Sequence, residues 1–186
     1  MKGETGMLYI TVPKTELWDE ENQEFINVKE TTLQLEHSLV SLSKWESKWH
    51  KAYFSEAPKS YDETIDYIRC MTLTQNVKPI VYKCLTQDNV NAITQYIEDP
   101  MTATTFSDDL KRSGGKEVVT AELIYHWMIA LNIPFECQKW HINRLLTLVR
   151  VCNIKNQPPK QMGKSERLRR QAELNARRRQ QLHTKG

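Results

Sequence analysis

The sequence lacks the segments that insert a protein into a membrane or carry it out of the cell. No apolar run approaches the roughly 18 residues that a membrane-spanning helix requires. The N-terminal stretch MKGETGMLYITVP does not contain the long apolar region of a signal peptide. We therefore expect a cytoplasmic protein with no membrane partner, whose cysteines are reduced thiols in the core: Cys70, Cys84, Cys137 and Cys152.

The sequence also lacks the residue patterns of catalysis and cofactor binding. Ser41 and Lys44 match the S-x-x-K pattern of serine acyltransferases that attack lactams, but no S-D-N-like element or K-T-G strand follows. The segment 114–116, Gly-Gly-Lys, has neither the earlier glycine nor the hydroxyl residue of a phosphate-binding loop. No pair of carboxylates stands in an apolar setting that would tune a general acid. The sequence therefore predicts no catalytic residue, no cofactor and no enzymatic activity.

Residues that can ligate a metal are present, but their spacing is poor for zinc. Cys137 and His141 lie four residues apart and would share a face of one predicted helix, with Cys152 far along the same helix. Structural zinc usually takes closely paired ligands such as C-x2-C, and the sequence contains no such pair. His50 and His126 have no neighbour at ligand spacing. The sequence thus favours buried thiols and half-exposed imidazoles over a metal, with zinc at Cys137 and His141 as the alternative.

Charge is distributed unevenly along the chain. The 26 Lys and Arg residues exceed the 23 Asp and Glu residues by only three. Residues 160–186 hold nine of the basic residues and two of the acidic ones, a formal charge of +7, which leaves −4 for residues 1–159. An acidic body joined to a basic tail indicates an acidic or polyanionic partner for the tail.

The N-terminal part of the chain has the pattern of a small antiparallel β-sheet. MLYITV (7–12) is rich in β-branched residues, and TELWDEENQEFINV (15–28) has two apolar-containing arms around a polar turn. TTLQLEH (31–37) alternates leucines with polar residues, the period of a half-buried strand. We predict a sheet over residues 7–37 at the start of an α+β, mainly α, fold.

From Ser38 onward the apolar residues recur at helical spacing. Ser38 is the predicted cap of a helix that carries Leu42, Trp45, Trp49 and Tyr53 on one face. Val90, Ile93 and Ile97 are predicted to face inward from a later helix. Residues 100–117 have the composition of a mobile surface loop. The further helical segments, of which the last two form a predicted central hairpin, are 60–75, 78–85, 86–99, 118–132 and 136–156.

These patterns predict three parts of the chain: a β element at 1–37 packed on the helical part, a helical domain at 38–157, and a basic tail at 158–186. The tail is rich in helix-forming residues, but it offers little apolar area to bury. We expect a protruding C-terminal helix that a partner orders. Its arginines, which surround the helix, are the predicted partner-binding residues: Arg167, Arg169, Arg170, Arg177, Arg178 and Arg179.

Nucleic acid is the alternative partner of this tail, because a flexible basic arm can hold phosphates. The chain has no RNA-binding signature, and its tryptophans are spaced for core packing rather than for stacking on bases: Trp45, Trp49, Trp127 and Trp140. A solvated tail that keeps the protein soluble and binds nothing is the third reading.

Four stretches together resemble a family of small proteins that long-tailed bacteriophages encode among their tail genes. The stretches are LEHSLVSLSKWESKWHK (35–51), TIDYIRCMTLTQNV (64–77), YIEDPMTATTF (96–106) and IPFECQKWHINRLLTLVRVCNIKNQPPK (133–160). The family resembles the tail assembly chaperones, which hold the tape measure protein soluble until tail tube subunits polymerise around it. The resemblance covers most of residues 7–182 and contains no catalytic motif.

The resemblance implies a non-enzymatic tail assembly factor in the host cytoplasm, with the tape measure protein and other tail proteins as partners. Such chaperones are commonly also made as a longer, frameshifted product. A structural virion component, such as a neck or tail-completion protein, is the alternative function, and a nucleic-acid-binding accessory protein is the other. The sequence leaves open the oligomeric state, including a homo-oligomer, the partner surface on the helical domain and retention in the mature virion.

Overall fold

The structure is a computed structural model that describes residues 6–19, 23–106, 118–156 and 164–182. It confirms the predicted α+β fold, in which a small antiparallel β region precedes a series of helices. The strands in these ranges are β1 (Leu8–Val12), β2 (Thr15–Asp19), β3 (Glu24–Val28) and β4 (Thr31–Leu35). The helices are α1 (Leu39–Trp49), α2 (Tyr61–Met71), α3 (Pro79–Lys83), α4 (Gln87–Glu98), α5 (Ala121–Ala130), a 3₁₀ helix (Phe135–Lys139), α6 (Ile142–Asn156) and α7 (Lys164–Leu182). Within the same ranges, no helix is long and apolar enough to cross a membrane.

The strands form one β-ribbon that is interrupted in the middle. Strand β1 pairs antiparallel with β4, and β2 pairs antiparallel with β3. Leu8 pairs with Leu35 and Thr15 pairs with Val28, so the residue numbers of each pair add to 43 in both sheets. The register therefore continues unchanged from one sheet to the other. Pro13, at the interruption, has no amide hydrogen to donate to a partner strand. The predicted antiparallel sheet is thus present, but as two two-stranded sheets.

Helix α1 lies at the centre of the helical part, where it packs against α2, α5 and the 3₁₀ helix. Ser38 caps it as predicted, because its hydroxyl accepts from the amide of Ser41 while the Ser41 hydroxyl accepts from the amide of Ser38. This reciprocal cap gives Ser41 a structural role. The centre of the core is therefore α1, and not the hairpin that was predicted from residues 118–156.

The end of α1 differs from the prediction. His50 adopts a left-handed conformation, with φ of 52°, and the helix stops at Trp49. Tyr53 was predicted to continue the apolar face of this helix, and it lies beyond the helix instead. The loop returns Tyr53 to the same core, because its ring centroid lies 5.5 Å from that of the fully buried Trp45.

Helices α2 and α4 begin at the hydroxyl caps Ser60 and Thr86, close to the predicted starts. The buried face of α4 differs from the prediction, since Val90 is 37% exposed and Ile97 is half-buried. Ile93 is buried as predicted, beside Tyr96. A tyrosine occupies this core position because its hydroxyl finds hydrogen-bond partners at the buried end of the ring.

The segment predicted as one helix over 136–156 consists of the 3₁₀ helix and α6. His141 separates them, because it forms an isolated β-bridge with Ser38. The amide of Ile142, the first residue of α6, donates to the carbonyl of His37 at 2.9 Å. A long-range backbone contact thus overrides the local helical pattern, and Cys137, His141 and Cys152 do not share one helix face.

The chain divides into two compact units, Met1–Cys152 and Asn153–Gly186. The hydrophobic core belongs to the first unit and combines residues of the ribbon with residues of the helices. The second unit contains α7. The predicted loop at 100–117 is described only over 100–106, which contains no regular element, and the rest lies outside the described residues.

Candidate partner-binding site

Helix α7 spans 19 residues and carries the arginines that were predicted to bind a partner. The side chains of residues 168–179 are all exposed. Five of the six predicted arginines are therefore open to solvent: Arg169, Arg170, Arg177, Arg178 and Arg179. Arg167 lies in the same helix, but its side chain is outside the described set. Exposed guanidinium groups can pair in a bidentate way with the carboxylates or phosphates of another molecule.

The exposed surface of α7 has a narrow apolar strip. Leu168, Ala172 and Ala176 recur every four residues and therefore lie on one face. Arg169 and Arg179 border this strip. Arg169 lies three residues before Ala172, and Arg179 lies three residues after Ala176. Leu168 is 63% exposed, so the strip is apolar surface that remains in contact with water. A small apolar stripe between two cations is suited to a partner surface that is both apolar and acidic.

A cluster of polar rings lies in the core at the junction of the ribbon and the helices. The Nδ1 atom of His37 is 2.5 Å from the hydroxyl oxygen of Tyr67, and the amide of His37 donates to the Tyr96 hydroxyl at 3.2 Å. His141 Nε2 lies 2.8 Å from the carbonyl oxygen of Tyr96, while its Nδ1 accepts from the amide of Asn143. The two imidazole centroids are 4.9 Å apart. Both imidazoles thus join backbone and side chains of distant segments.

Burial dominates the ionisation of this cluster. It lowers the pKa of His37 to about 3, and the nearby His141 lowers it further. It also raises the pKa of Tyr53 to about 12 and raises the pKa of Tyr67. All three groups are therefore neutral at physiological pH. Since His37 is 1% exposed and His141 is 7% exposed, a substrate has no access to either ring, and the cluster serves the fold.

Glu46 is a buried carboxylate that joins three segments of the helical part. One of its oxygens accepts from the amide of Tyr53 and the other from the amide of Ala121, each at 2.7 Å. Ala121 is the first residue of α5, so the carboxylate lies at the positive end of that helix. Glu46 therefore acts as a structural acceptor and is not placed as a general base.

An open cleft of about 420 Å³ lies beside α1 and α2. Its lining includes Lys44, Lys48, Asp66, Arg69 and Cys70. Asp66 accepts from Lys48 at 2.5 Å and lies 3.7 Å from Arg69, so two of these cations are already paired with a carboxylate of the cleft. Burial raises the pKa of the Cys70 thiol, which disfavours the reactive thiolate. The cleft thus has the chemistry of a structural ion-pair group.

The residues weighed for a metal are engaged elsewhere. Cys137 is buried, and burial raises the pKa of its thiol. Both ring nitrogens of His141 lie in hydrogen bonds, as described above. Among the described residues, no group of three or more His, Cys, Asp and Glu could hold a metal ion. Of the tryptophans predicted to pack in the core, Trp45 is fully buried, and three are half-buried: Trp49, Trp127 and Trp140.

The outer face of strands β2 and β3 is an exposed surface that the sequence reasoning missed. Trp18 and Phe25 are directly paired across the strands, and their ring centroids are 4.9 Å apart in an edge-to-face arrangement. Trp18 is 51% exposed and Phe25 is 65% exposed. The alternation of side chains along the strands could have predicted this surface. If Leu17 and Ile26 face the core, their neighbours Trp18 and Phe25 must face outward.

Comparison with known proteins assigns no family to the chain. Neither the protein-family models, nor the curated proteins, nor the solved structures contain a significant match to it.

Proposed function

We propose that this protein is a non-enzymatic assembly factor of long-tailed bacteriophages, which binds the tape measure protein in the host cytoplasm during tail morphogenesis. The observation that carries the proposal is helix α7, in which all side chains from 168 to 179 are exposed and five of them are arginines. The resemblance to tail assembly chaperones supplies the identity of the partner.

Helix α7 consists mainly of charged and polar residues. A helix that is polar nearly all round gains little from burial, and packing of an apolar face is the main source of helix stability in proteins. Arg169, Arg177, Arg178 and Arg179 are exposed, so they add little to burial, and their guanidinium groups can pair with the acidic groups of a partner. A tape measure protein is a very long, helix-rich chain that must be kept from aggregating, and acidic or amphipathic helices in it offer carboxylates to guanidinium groups.

Co-expression with the tape measure protein of the same phage tests the proposal. The full-length chain should raise the soluble fraction of the tape measure protein, and replacing the six arginines of α7 by glutamine should abolish that gain. The matched control removes six exposed positive charges from the first unit and from the end of α6, and it should retain the gain in solubility. The six lysines, each changed to glutamine, are Lys14, Lys29, Lys78, Lys83, Lys139 and Lys155. Equal loss of solubility in both variants would contradict a role that is specific to α7.

The virion-component alternative makes a different prediction about where the protein ends up. An assembly chaperone is absent from finished particles, whereas a neck or tail-completion protein is present in them at a fixed stoichiometry. Quantitative mass spectrometry of purified virions distinguishes the two. Stoichiometric presence in the particle would replace the chaperone proposal by the structural one.

Nucleic acid is the other partner that exposed arginines suit. The logarithm of the affinity for DNA should fall with the logarithm of the salt concentration by about 0.9 for each phosphate neutralised. A protein partner that offers a few carboxylates gives a much weaker salt dependence. A steep slope with duplex DNA, together with no gain in tape measure solubility, would favour an accessory nucleic-acid-binding protein.

A further inference from the structure

We propose that the exposed face of strands β2 and β3 is a docking surface for helix α7 of a second copy of this chain. The surface is formed by the outward side chains Glu16, Trp18, Phe25 and Asn27, which we call the ribbon face. This inference goes beyond the proposed function, because it concerns self-association and requires no tape measure protein.

The ribbon face offers apolar area that the chain leaves in water. Trp18 and Phe25 are directly paired across the two strands, and each is more than half exposed. The opposite face of the same strands carries Leu17 and Ile26, which pack against the core, and Val28, which is buried. The strands are therefore held by one face only, and the aromatic face is free to receive another molecule.

The formal charges of two segments indicate that helix α7 is the part of a second copy that binds the ribbon face. Residues 15–28 contain five acidic side chains and no basic one, a formal charge of −5 for the segment. Asp19 and Glu24 lie on the opposite face of the strands from Trp18, and Glu20 and Glu21 lie outside the described residues. Glu16 lies on the ribbon face itself, exposed and two residues from Trp18. Residues 164–182 contain seven Lys and Arg and two Glu, a formal charge of +5. The two segments are the acidic and basic extremes of one sequence, and each exposes its apolar residues.

The shapes of the two surfaces also match. Within the strip, Ala172 and Ala176 present small side chains, which allow the aromatic rings to approach the helix closely, and Leu168 adds apolar area. Arg169 and Arg179, on either side of the strip, can stack on an aromatic ring or pair with a carboxylate of the ribbon. The interface would be heterologous, since the ribbon face of one copy receives the helix of the next, and such contacts close into rings or continue as open chains.

Sedimentation velocity of the purified full-length protein provides the first test. The proposal predicts self-association at low salt that weakens at high salt, because screening reduces the attraction between the exposed charges. A protein that remains monomeric at low salt, at every concentration examined, would overturn the proposal.

Two variants with complementary losses provide the decisive test. The ribbon variant, Trp18→Ser with Phe25→Ser, keeps α7 intact, and the helix variant, Arg169→Glu with Arg179→Glu, keeps the ribbon face intact. Each alone should weaken self-association by about thirtyfold, the loss expected on removing an aromatic or arginine hot spot from an interface. A mixture of the two should form a one-to-one complex that grows no further, since only one pair of matching surfaces remains. Two variants that stay monomeric when mixed would overturn the proposal.

Charge-matched controls separate docking on this face from general attraction between opposite charges. Arg177→Glu with Arg178→Glu makes the same charge change away from the strip, and it should leave self-association within about threefold of wild type because exposed rim charges contribute little. If it weakens association as much as the helix variant does, the strip is not the contact. Glu16→Arg should weaken association without removing an aromatic ring, whereas Glu56→Arg, on an exposed loop, should not. Equal effects of these two substitutions would likewise overturn the assignment.

Discussion

The Nδ1 atom of His37 lies 2.5 Å from the hydroxyl oxygen of Tyr67, in a part of the core where the imidazole is 1% exposed. The amide and carbonyl of the same histidine bind Tyr96 and Ile142, so one residue connects the end of the ribbon to three helices. A neutral imidazole fits this environment, and a protonated one does not, since it would face His141 and lose its hydration.

We therefore predict that the protein loses stability as the pH falls from 7 to 5. Burial lowers the pKa of His37 from 6.5 to about 3 in the folded protein. Between these values the unfolded chain binds a proton that the folded chain excludes, so the free energy of unfolding decreases with falling pH. The loss by pH 5 is about 2 kcal/mol for this one group. Urea unfolding at pH 7, 6 and 5 measures it.

The control for this prediction is a histidine on the surface. His126→Asn removes an exposed imidazole and keeps His37 in its place. His37→Asn should lower stability at pH 7 and flatten the profile between pH 7 and pH 5. A wild-type profile that is already flat over this range would contradict the assignment of a neutral, buried His37.

Glu46 provides the second prediction. Its carboxylate is the acceptor for two amides, those of Tyr53 and Ala121, and Ala121 is fully buried. Glu46→Ala leaves both donors without this partner, and an unsatisfied buried donor costs about 1–3 kcal/mol. We expect a loss of about 3 kcal/mol in the free energy of unfolding. Glu46→Gln keeps one acceptor oxygen and should lose less, while the exposed Glu56→Ala should change little.

The sequence was sufficient for the elements whose signals are local. The hydroxyl caps at Ser38, Ser60 and Thr86 are visible because a cap and its first turn lie within four residues. The proline at the first position of α3 and the alternation of the strands are equally local. The existence and order of these elements could therefore be predicted.

The features that were missed depend on contacts between distant parts of the chain. The break at His141 requires Ser38 as its bridge partner, and no pattern within residues 136–156 contains that information. The buried position of Tyr96 depends on Gly6 and His37, which bind its hydroxyl. Partner binding by the arginines of α7 was predicted from composition and stays a prediction. The aromatic ribbon face was missed because Trp18 was not assigned to a face.

Truncation of Trp45 should destabilise the protein much more than truncation of Trp18. Trp45 is 1% exposed, donates from Nε1 to the carbonyl of Glu63 at 2.8 Å and packs against Tyr53 and Tyr67. Trp45→Ala should cost about 3–5 kcal/mol through the lost burial and the cavity. Trp18→Ala removes an exposed ring with one cross-strand partner and should cost about 1 kcal/mol. Denaturant unfolding followed by circular dichroism measures both, and equal losses would contradict the different burial of the two rings.

The last prediction concerns the tail as a whole. Deleting residues 161–186 should change the melting temperature by no more than about 2 °C, since the side chains from 168 to 179 are exposed and surface changes contribute about 0.5 kcal/mol or less. The same deletion should abolish the gain in tape measure solubility and the self-association at low salt. A melting temperature lowered by many degrees would show that the tail packs into the core. Unchanged stability together with unchanged solubility and association would leave only a solvated tail, and would contradict partner binding by the arginines.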